Sequence, residues 1–247
     1  MNVDEVIAQL QGLANPEKIE IKARRFGIHT ENSLGVYHKD LKLIAKDIGR
    51  DNELALALFE SGIYEARLLC SKIYDPACIT RKQMKKWVQV FDNWEICDSF
   101  CMGFFAKSQH ALPMAYEWSE HKSEFIKRAG FVIMAAYGFA DKVAENEVFE
   151  SFLPLIEREA DDDRIYVKKA VNWALRNIGK RNIDLRQEAL SMAHRILKRD
   201  TKSAIWIAKN AIKELESAKL KGMEYPRSIY RKPTAPIWPS QKNQWQG

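Results

Sequence analysis

Apolar residues in this chain recur every three to four positions in almost every segment, and no stretch alternates with period two for long. That pattern commits the chain to an all-α fold. Val3 to Leu13 places Val3, Ile7, Leu10 and Ala14 on one stripe. Asn15-Pro16 reads as a cap followed by proline at the first helical position. Gly27 to Gly35 reads as a loop. Further helical segments are Asp40–Ile48, Glu53–Phe59, Tyr64–Tyr74, Lys82–Phe91, His110–Ser119, Glu124–Phe139, Val148–Glu159, Arg164–Lys180, Asp184–Lys198 and Lys202–Ala218.

Many short helices with short polar joints predict a solenoid of stacked helix pairs. A weak internal repeat supports this. Tyr64-Glu65-Ala66-Arg67, Phe125-Ile126-Lys127-Arg128 and Tyr166-Val167-Lys168-Lys169 each set an aromatic residue three before a basic one, at the opening of an apolar helix. Trp94-Glu95-Ile96-Cys97 falls in the same register, with Asp98 one step on. From Arg67 the steps to Cys97, Arg128 and Lys169 are about 30, 31 and 41 residues, close to the period of HEAT-type helix pairs. Lys209 stands about 40 residues further on. Equivalent positions in stacked pairs line one face, so the expectation is a curved α-solenoid whose concave cleft carries a basic stripe of Arg67, Arg128, Lys169 and Lys209. Basic charge near a helix N-terminus opposes the macrodipole, so helix stability does not account for it. Such a stripe suits the regular negative charge of a phosphate backbone. The plainer alternative is a row of solvated side chains.

The 247 residues suffice for one large domain and carry a formal charge of +6, with an isoelectric point near 9.0. A polyanionic partner is compatible with that balance. Cys70, Cys78, Cys97 and Cys101 form no CxxC and have no histidine at zinc spacing, so buried, reduced thiols are expected and no metal site. The opening Met1-Asn2-Val3-Asp4-Glu5 is not a secretory signal, and no apolar run is long enough to span a membrane. A cytosolic or nucleoid location and a monomer are the resulting expectations. The solenoid domain is assigned to residues 1–221. Residues 222–247, with Tyr225-Pro226-Arg227, Arg231-Lys232-Pro233 and Ala235-Pro236-Ile237-Trp238-Pro239, form a Pro-rich, basic and aromatic tail that is not helical throughout.

Two places carry residues suited to chemistry. Asn93 is a plausible N-cap, so Trp94 starts a helix and Asp98 lies one turn further on the same face. A carboxylate beside an aromatic ring can stabilise a cation or orient water. An aspartate early in a helix is also common capping chemistry. In Lys168-Lys169-Ala170-Val171-Asn172-Trp173-Ala174-Leu175-Arg176, the residues Lys169, Trp173 and Arg176 share a face. A tryptophan flanked by two cations looks like a binding wall; a core tryptophan with snorkelling neighbours is the alternative.

Trp94-x-x-x-Asp98, Lys127-Arg128-Ala129 and the Lys168–Arg176 run together resemble the HEAT-like-repeat DNA alkylation repair enzymes, the AlkD-like DNA glycosylases. The likeness runs from about Leu34 to Lys213. It implies a solenoid holding duplex DNA in a positive concave cleft, and release of 3-methyladenine or 7-methylguanine by cleavage of the N-glycosidic bond without a cofactor. It also implies contact with the lesion's sugar-phosphate in place of a base-trapping pocket, unlike most glycosylases. By motif position Asp98 corresponds to the catalytic carboxylate, Trp94 and Trp173 to the aromatic residues around the lesion nucleotide, and Arg128 to the basic residue at the phosphate. Arg67, Lys127, Lys169 and Arg176 are assigned to the DNA backbone as an extension. Glu95 departs from the family pattern, where many relatives carry Asp. Two alternatives stand beside the glycosylase: a non-catalytic HEAT-repeat protein that binds bent, branched or damaged DNA, and a HEAT scaffold for protein partners.

Overall fold

The computed structural model describes residues 1–141 and 143–221. The Pro-rich tail assigned to 222–247 lies outside the described residues. Helices α1 (Val3–Gly12), α2 (Pro16–Phe26), α3 (His38–Ile48), α4 (Asn52–Glu60), α5 (Tyr64–Ile73), α6 (Arg81–Val88) and α7 (Trp94–Gly103) belong to a first compact unit, Met1–Phe104. A second unit begins at Phe105 and holds α8 (Ala111–Ser119), α9 (Glu124–Ala140), α10 (Asn146–Glu150), α11 (Leu153–Arg158), α12 (Ile165–Gly179), α13 (Ile183–Leu197), α14 (Lys202–Leu215) and α15 (Ala218–Lys221). No strand occurs among the described residues, and none of their helices is long and apolar enough to cross a membrane.

The helix boundaries reflect local chemistry. Asn15 accepts from Lys18 N at 3.0 Å and Pro16 occupies the first turn of α2. Gly27, at φ 63°, closes that helix in the left-handed conformation. Asn93 caps α7, its side-chain oxygen accepting from Glu95 N and Ile96 N at 2.9 and 3.3 Å. Two expectations are corrected. The first helix buries Val6 and Leu10, whereas Val3 and Ile7 are only half-buried. The segment expected as one helix from Val148 to Glu159 is two short helices parted at Ser151 and Phe152, with Pro154 in the first turn of α11, where a proline lacking its N–H fits.

Within the first unit α4 and α5 form a hairpin, α5 packs on both α3 and α7, and Trp87 anchors an aromatic core. Its ring stacks on Phe59 at 5.0 Å and meets Tyr74 and Phe100 edge-on at 5.3 and 5.7 Å. Within the second unit α8 pairs with α9 and α13 with α14, while α9 lies along α12 and α12 along α14. Gly130 permits the α8–α9 approach: a Cβ there would stand 2.6 Å from Ser119 N. The second unit therefore sets side by side α9 and α12, whose starts carry the aromatic–basic register, and the first sets α5 beside α7, where Cys97 takes the basic position. Cys70, Cys97 and Cys101 are buried, as expected; Cys78 departs from that reading and is exposed, on the Asp75–Cys78 turn.

Candidate nucleic-acid interface

In the first unit the site is built on the start of α7. Trp94 is its first residue and is half-buried. The indole N–H donates to the carbonyl of Phe26 at 3.1 Å, one of the carbonyls left over at the C-terminal end of α2. The Phe26 ring meets the indole edge-on, with centroids 6.2 Å apart. Trp94 is thus fixed in orientation while part of its ring stays accessible. Asp98 lies one turn along α7 and is also half-buried.

Between them in sequence, Glu95 does something different. It is 7% exposed, and its carboxylate accepts from Lys22 Nζ at 2.8 Å, Tyr64 Oη at 2.8 Å and His38 Nε2 at 3.0 Å. One carboxylate therefore ties α2 and the first residues of α3 and α5 to α7. Burial pushes the Glu95 carboxyl up, but the hydrogen bonds from His38 and Lys22 and the Lys22 charge outweigh it and hold the group at about 2. Burial, with the Glu95 charge beside it, pushes the Tyr64 phenol well up. Sequence reasoning missed this cluster. Its only trace is four polar residues, each at or beside an apolar stripe, and nothing in their spacing says that they meet.

Arg67, expected on the phosphate stripe, is half-buried in α5. Its guanidinium lies over the Phe59 ring at 5.4 Å, and Nε donates to the Phe59 carbonyl at 3.4 Å. It borders a cavity of about 560 Å³ whose lining includes His29, Asn32 and Asp92.

In the second unit the register residues of α9 and α12 meet. The Phe125 and Tyr166 rings lie 5.2 Å apart. Arg128 is 6% exposed and its Nη1 donates to the Tyr166 carbonyl at 2.7 Å. Lys127 is turned inward to an ion pair with Glu159 and a longer one, 3.4 Å, with Asp162. Burial raises the Asp162 carboxyl, but hydrogen bonds and charge from Arg164, with Lys127 nearby, bring it below its ordinary value.

On α12, Lys169 is exposed and Trp173 half-buried, and neither makes a hydrogen bond or ring contact among the described residues. Arg176 lies on the side toward α14, where it pairs with Glu214 and donates to Asn210 at 3.1 Å. Asn172 reaches the same Asn210 oxygen at 3.2 Å. Lys168 sits over the exposed Trp206 ring at 5.4 Å, and Lys209 is exposed on α14. The second unit thus presents Lys169, Trp173, Trp206 and Lys209 to solvent, while Lys127 and Arg176 are engaged in ion pairs.

An all-helical chain that repeats helix starts in register, with open aromatic and basic side chains on them, has a counterpart among known families. The model of the DNA alkylation repair enzyme family matches residues 6–215, and the chain belongs to that family. A solved structure from a family described as related to the HEAT-like repeat DNA glycosylases, with affinity for branched DNA structures, aligns with a TM-score of 0.69. It is 20% identical, covering 87% of this chain and 95% of that one, and it defines the fold as HEAT-like repeat. The uncharacterized proteins Lin0241 of Listeria innocua and Lmo0209 of Listeria monocytogenes are each 23% identical over 193 residues, 77% of this chain and 84% of theirs. The family match begins earlier than the motif likeness, taking in most of α1 and all of α2, and with α2 Lys22.

Proposed function

We propose that the protein is a DNA glycosylase that excises cationic alkylated purines from duplex DNA, with Asp98 as its catalytic carboxylate. The observation that carries this reading is the division of labour at the start of α7. Of two carboxylates three residues apart, Glu95 is buried and saturated by three donors, and Asp98 is half-buried one turn from an accessible indole. A carboxylate in Asp98's position suits a cationic ligand better than an anionic one.

The chemistry asks little more. A purine alkylated at N3 or N7 is cationic, so when the bond from C1′ breaks the electron pair neutralises the departing base and no general acid is required. Positive charge develops on the deoxyribose, as in glycoside cleavage generally. Asp98 stabilises that charge. Water then bonds to C1′, and its proton passes to the carboxylate and on to solvent. Trp94 offers a π face to the cation, worth about 1–2 kcal/mol when desolvated. In the second unit, Trp173 is assigned to the lesion nucleotide and Arg128, Lys169 and Lys209 to the backbone. Arg128, buried and donating to the Tyr166 carbonyl, would act on a phosphate at the start of α12 through its charge and not by direct contact. Lys127, Arg176 and Arg67 make weaker backbone contacts on this reading, since their charges or ring contacts are satisfied within the protein.

Methylated duplex DNA incubated with wild type should release 3-methyladenine or 7-methylguanine, and Asp98→Asn should abolish release while DNA binding and the thermal melt persist. Absence of release by wild type would overturn the assignment. The second reading, a branched-DNA binder without excision, draws on the branched-DNA affinity of the structurally similar family. It predicts binding that Asp98→Asn leaves unchanged, and no base release by either protein.

A further inference from the structure

Beside Trp94, on the side of α2 and α3, lies a cavity of about 390 Å³ that the excision chemistry does not use. Its size is that of a small-molecule pocket. Phe26, Ile28, Val36, Tyr37 and the Trp94 ring supply apolar walls. The floor is the Glu95 carboxylate with Lys22 and His38, already satisfied among themselves. The rim is cationic. Lys18 and Lys39 place their ammonium groups over the Tyr37 ring at 4.9 and 5.5 Å, and Tyr37 and Phe26 are 40% and 48% exposed. Tyr37 is also the N-cap of α3 and makes no side-chain capping bond; Asp40 N and Leu41 N donate to its carbonyl, which leaves the His38 and Lys39 amides for a ligand, with the Asp40 carboxylate in the same turn.

We infer that this cavity takes one unpaired nucleotide of the bound DNA, its base stacking against Tyr37 and its phosphate held by Lys18, Lys39 and the start of α3. The inference rests on the DNA-binding reading above and extends it to a second nucleotide subsite. Apolar walls of aromatic residues with a basic rim are the combination that holds single-stranded nucleic acid without reading its sequence. A base entering over Tyr37 displaces a lysine from the ring face, and the freed ammonium is then beside the incoming phosphate. On the floor Lys22 and His38 are directed at Glu95, so the base is held by stacking on the aromatic wall, which every base can do. Capture is therefore tolerant of which base enters. A fully paired duplex has no nucleotide to place there; a flap, fork or gap does.

The full chain is titrated against a labelled paired duplex, and against the same duplex with a single-stranded arm bearing 2-aminopurine. Wild type should bind the arm-bearing DNA roughly tenfold more tightly, about the loss of one base–aromatic stack, and quench the 2-aminopurine. Tyr37→Ala and Lys39→Ala should remove both the preference and the quench, with paired-duplex affinity unchanged, and Tyr37→Phe should retain both. Equal wild-type affinity for the two DNAs, or variants that keep the preference or lose both affinities alike, would overturn the subsite. Failure to bind any DNA would overturn the underlying reading as well. Binding and base release from paired duplex without an arm preference would overturn the subsite alone.

Discussion

Lys22 Nζ and Glu95 Oε2 form an ion pair of 2.8 Å with both side chains less than a tenth exposed. The pair joins α2 to α7 immediately behind Trp94. Removing one charge from such a pair leaves the other buried and uncompensated, which costs about 3–5 kcal/mol. Glu95→Gln keeps an acceptor for Tyr64 but strands the Lys22 ammonium. Its expected outcome is a loss of stability of that order in urea unfolding. Asp98→Asn, half-buried and one turn away, should lose much less. A double replacement, Lys22→Met with Glu95→Gln, should recover a substantial part of the loss.

The same carboxylate gives the fold an acid limit. Glu95 is held at about 2 in the folded protein against an ordinary 4.5. A group with a lowered folded value contributes stability in full above its unfolded value and loses it as pH falls toward the folded one. The Glu95 contribution should therefore be constant above about pH 5 and disappear between pH 4.5 and about 2. Unfolding free energies from pH 7 to pH 2 for wild type and Glu95→Gln should converge as pH falls through that window. Curves that stay parallel throughout would remove Glu95 as the cause.

Lys127 and Lys169 open α9 and α12 and look alike in sequence, but differ in what they are free to do. Lys127 is 11% exposed and paired with Glu159 and Asp162, whereas Lys169 is exposed and makes no ion pair among the described residues. Lys169→Ala should lower the slope of log affinity against log salt by about one, with little change in stability. Lys127→Ala should leave that slope nearly unchanged and lower the melting temperature. Fluorescence anisotropy across a salt series, with a thermal melt for each variant, separates the two.

How much of the molecule is legible in its sequence depends on whether the information is local. The helix at Trp94 is readable because Asn93 caps it, and α2 because Asn15 and Pro16 start it. The periodic helix starts yield the register that sets Phe125 against Tyr166. The hidden part is nonlocal. Glu95 meets Lys22 across 73 positions and His38 across 57, and no periodicity encodes such meetings. The stretch from Val148 to Leu153 is apolar enough to read as one helix with Leu155 to Glu159, and only Pro154 marks the break. Trp87 and Trp173 each occupy a helical stripe; one is fully buried among aromatic rings and the other is not, a difference set by the elements that pack on each helix.

Gly130 is a case in which helix propensity and packing point in opposite directions. Replacing an interior helical glycine by alanine ordinarily stabilises by roughly 0.5–1 kcal/mol. Here the added Cβ would stand 2.6 Å from Ser119 N and 2.9 Å from the Trp118 carbonyl carbon, both backbone atoms of the α8 end and its joint. Backbone cannot swing aside as a side chain can, so α8 and α9 must part. Gly130→Ala should destabilise by about 1–3 kcal/mol despite its better propensity, as overpacking generally does. A Gly138→Ala change, whose nearest neighbours are 3.8 Å away, should be neutral or stabilising. Equal melting temperatures for the two variants would disprove the close approach.

Trp173 separates packing from binding in the second unit. It is half-buried on α12 between Lys169 and Arg176 and has no ring contact among the described residues. A structural tryptophan truncated to alanine costs about 3–5 kcal/mol, whereas a ring held mainly for a ligand costs the fold far less. Trp173→Ala should therefore change stability by about 1 kcal/mol or less and weaken DNA binding by roughly 5- to 100-fold, the range for one lost aromatic contact with a nucleotide. Trp173→Phe should restore most of the affinity. Trp87→Ala, by contrast, should unfold the first unit, because its ring is fully buried against Phe59, Tyr74 and Phe100. A Trp173→Ala protein that melts as early as Trp87→Ala would make Trp173 a core residue and move the lesion contact elsewhere.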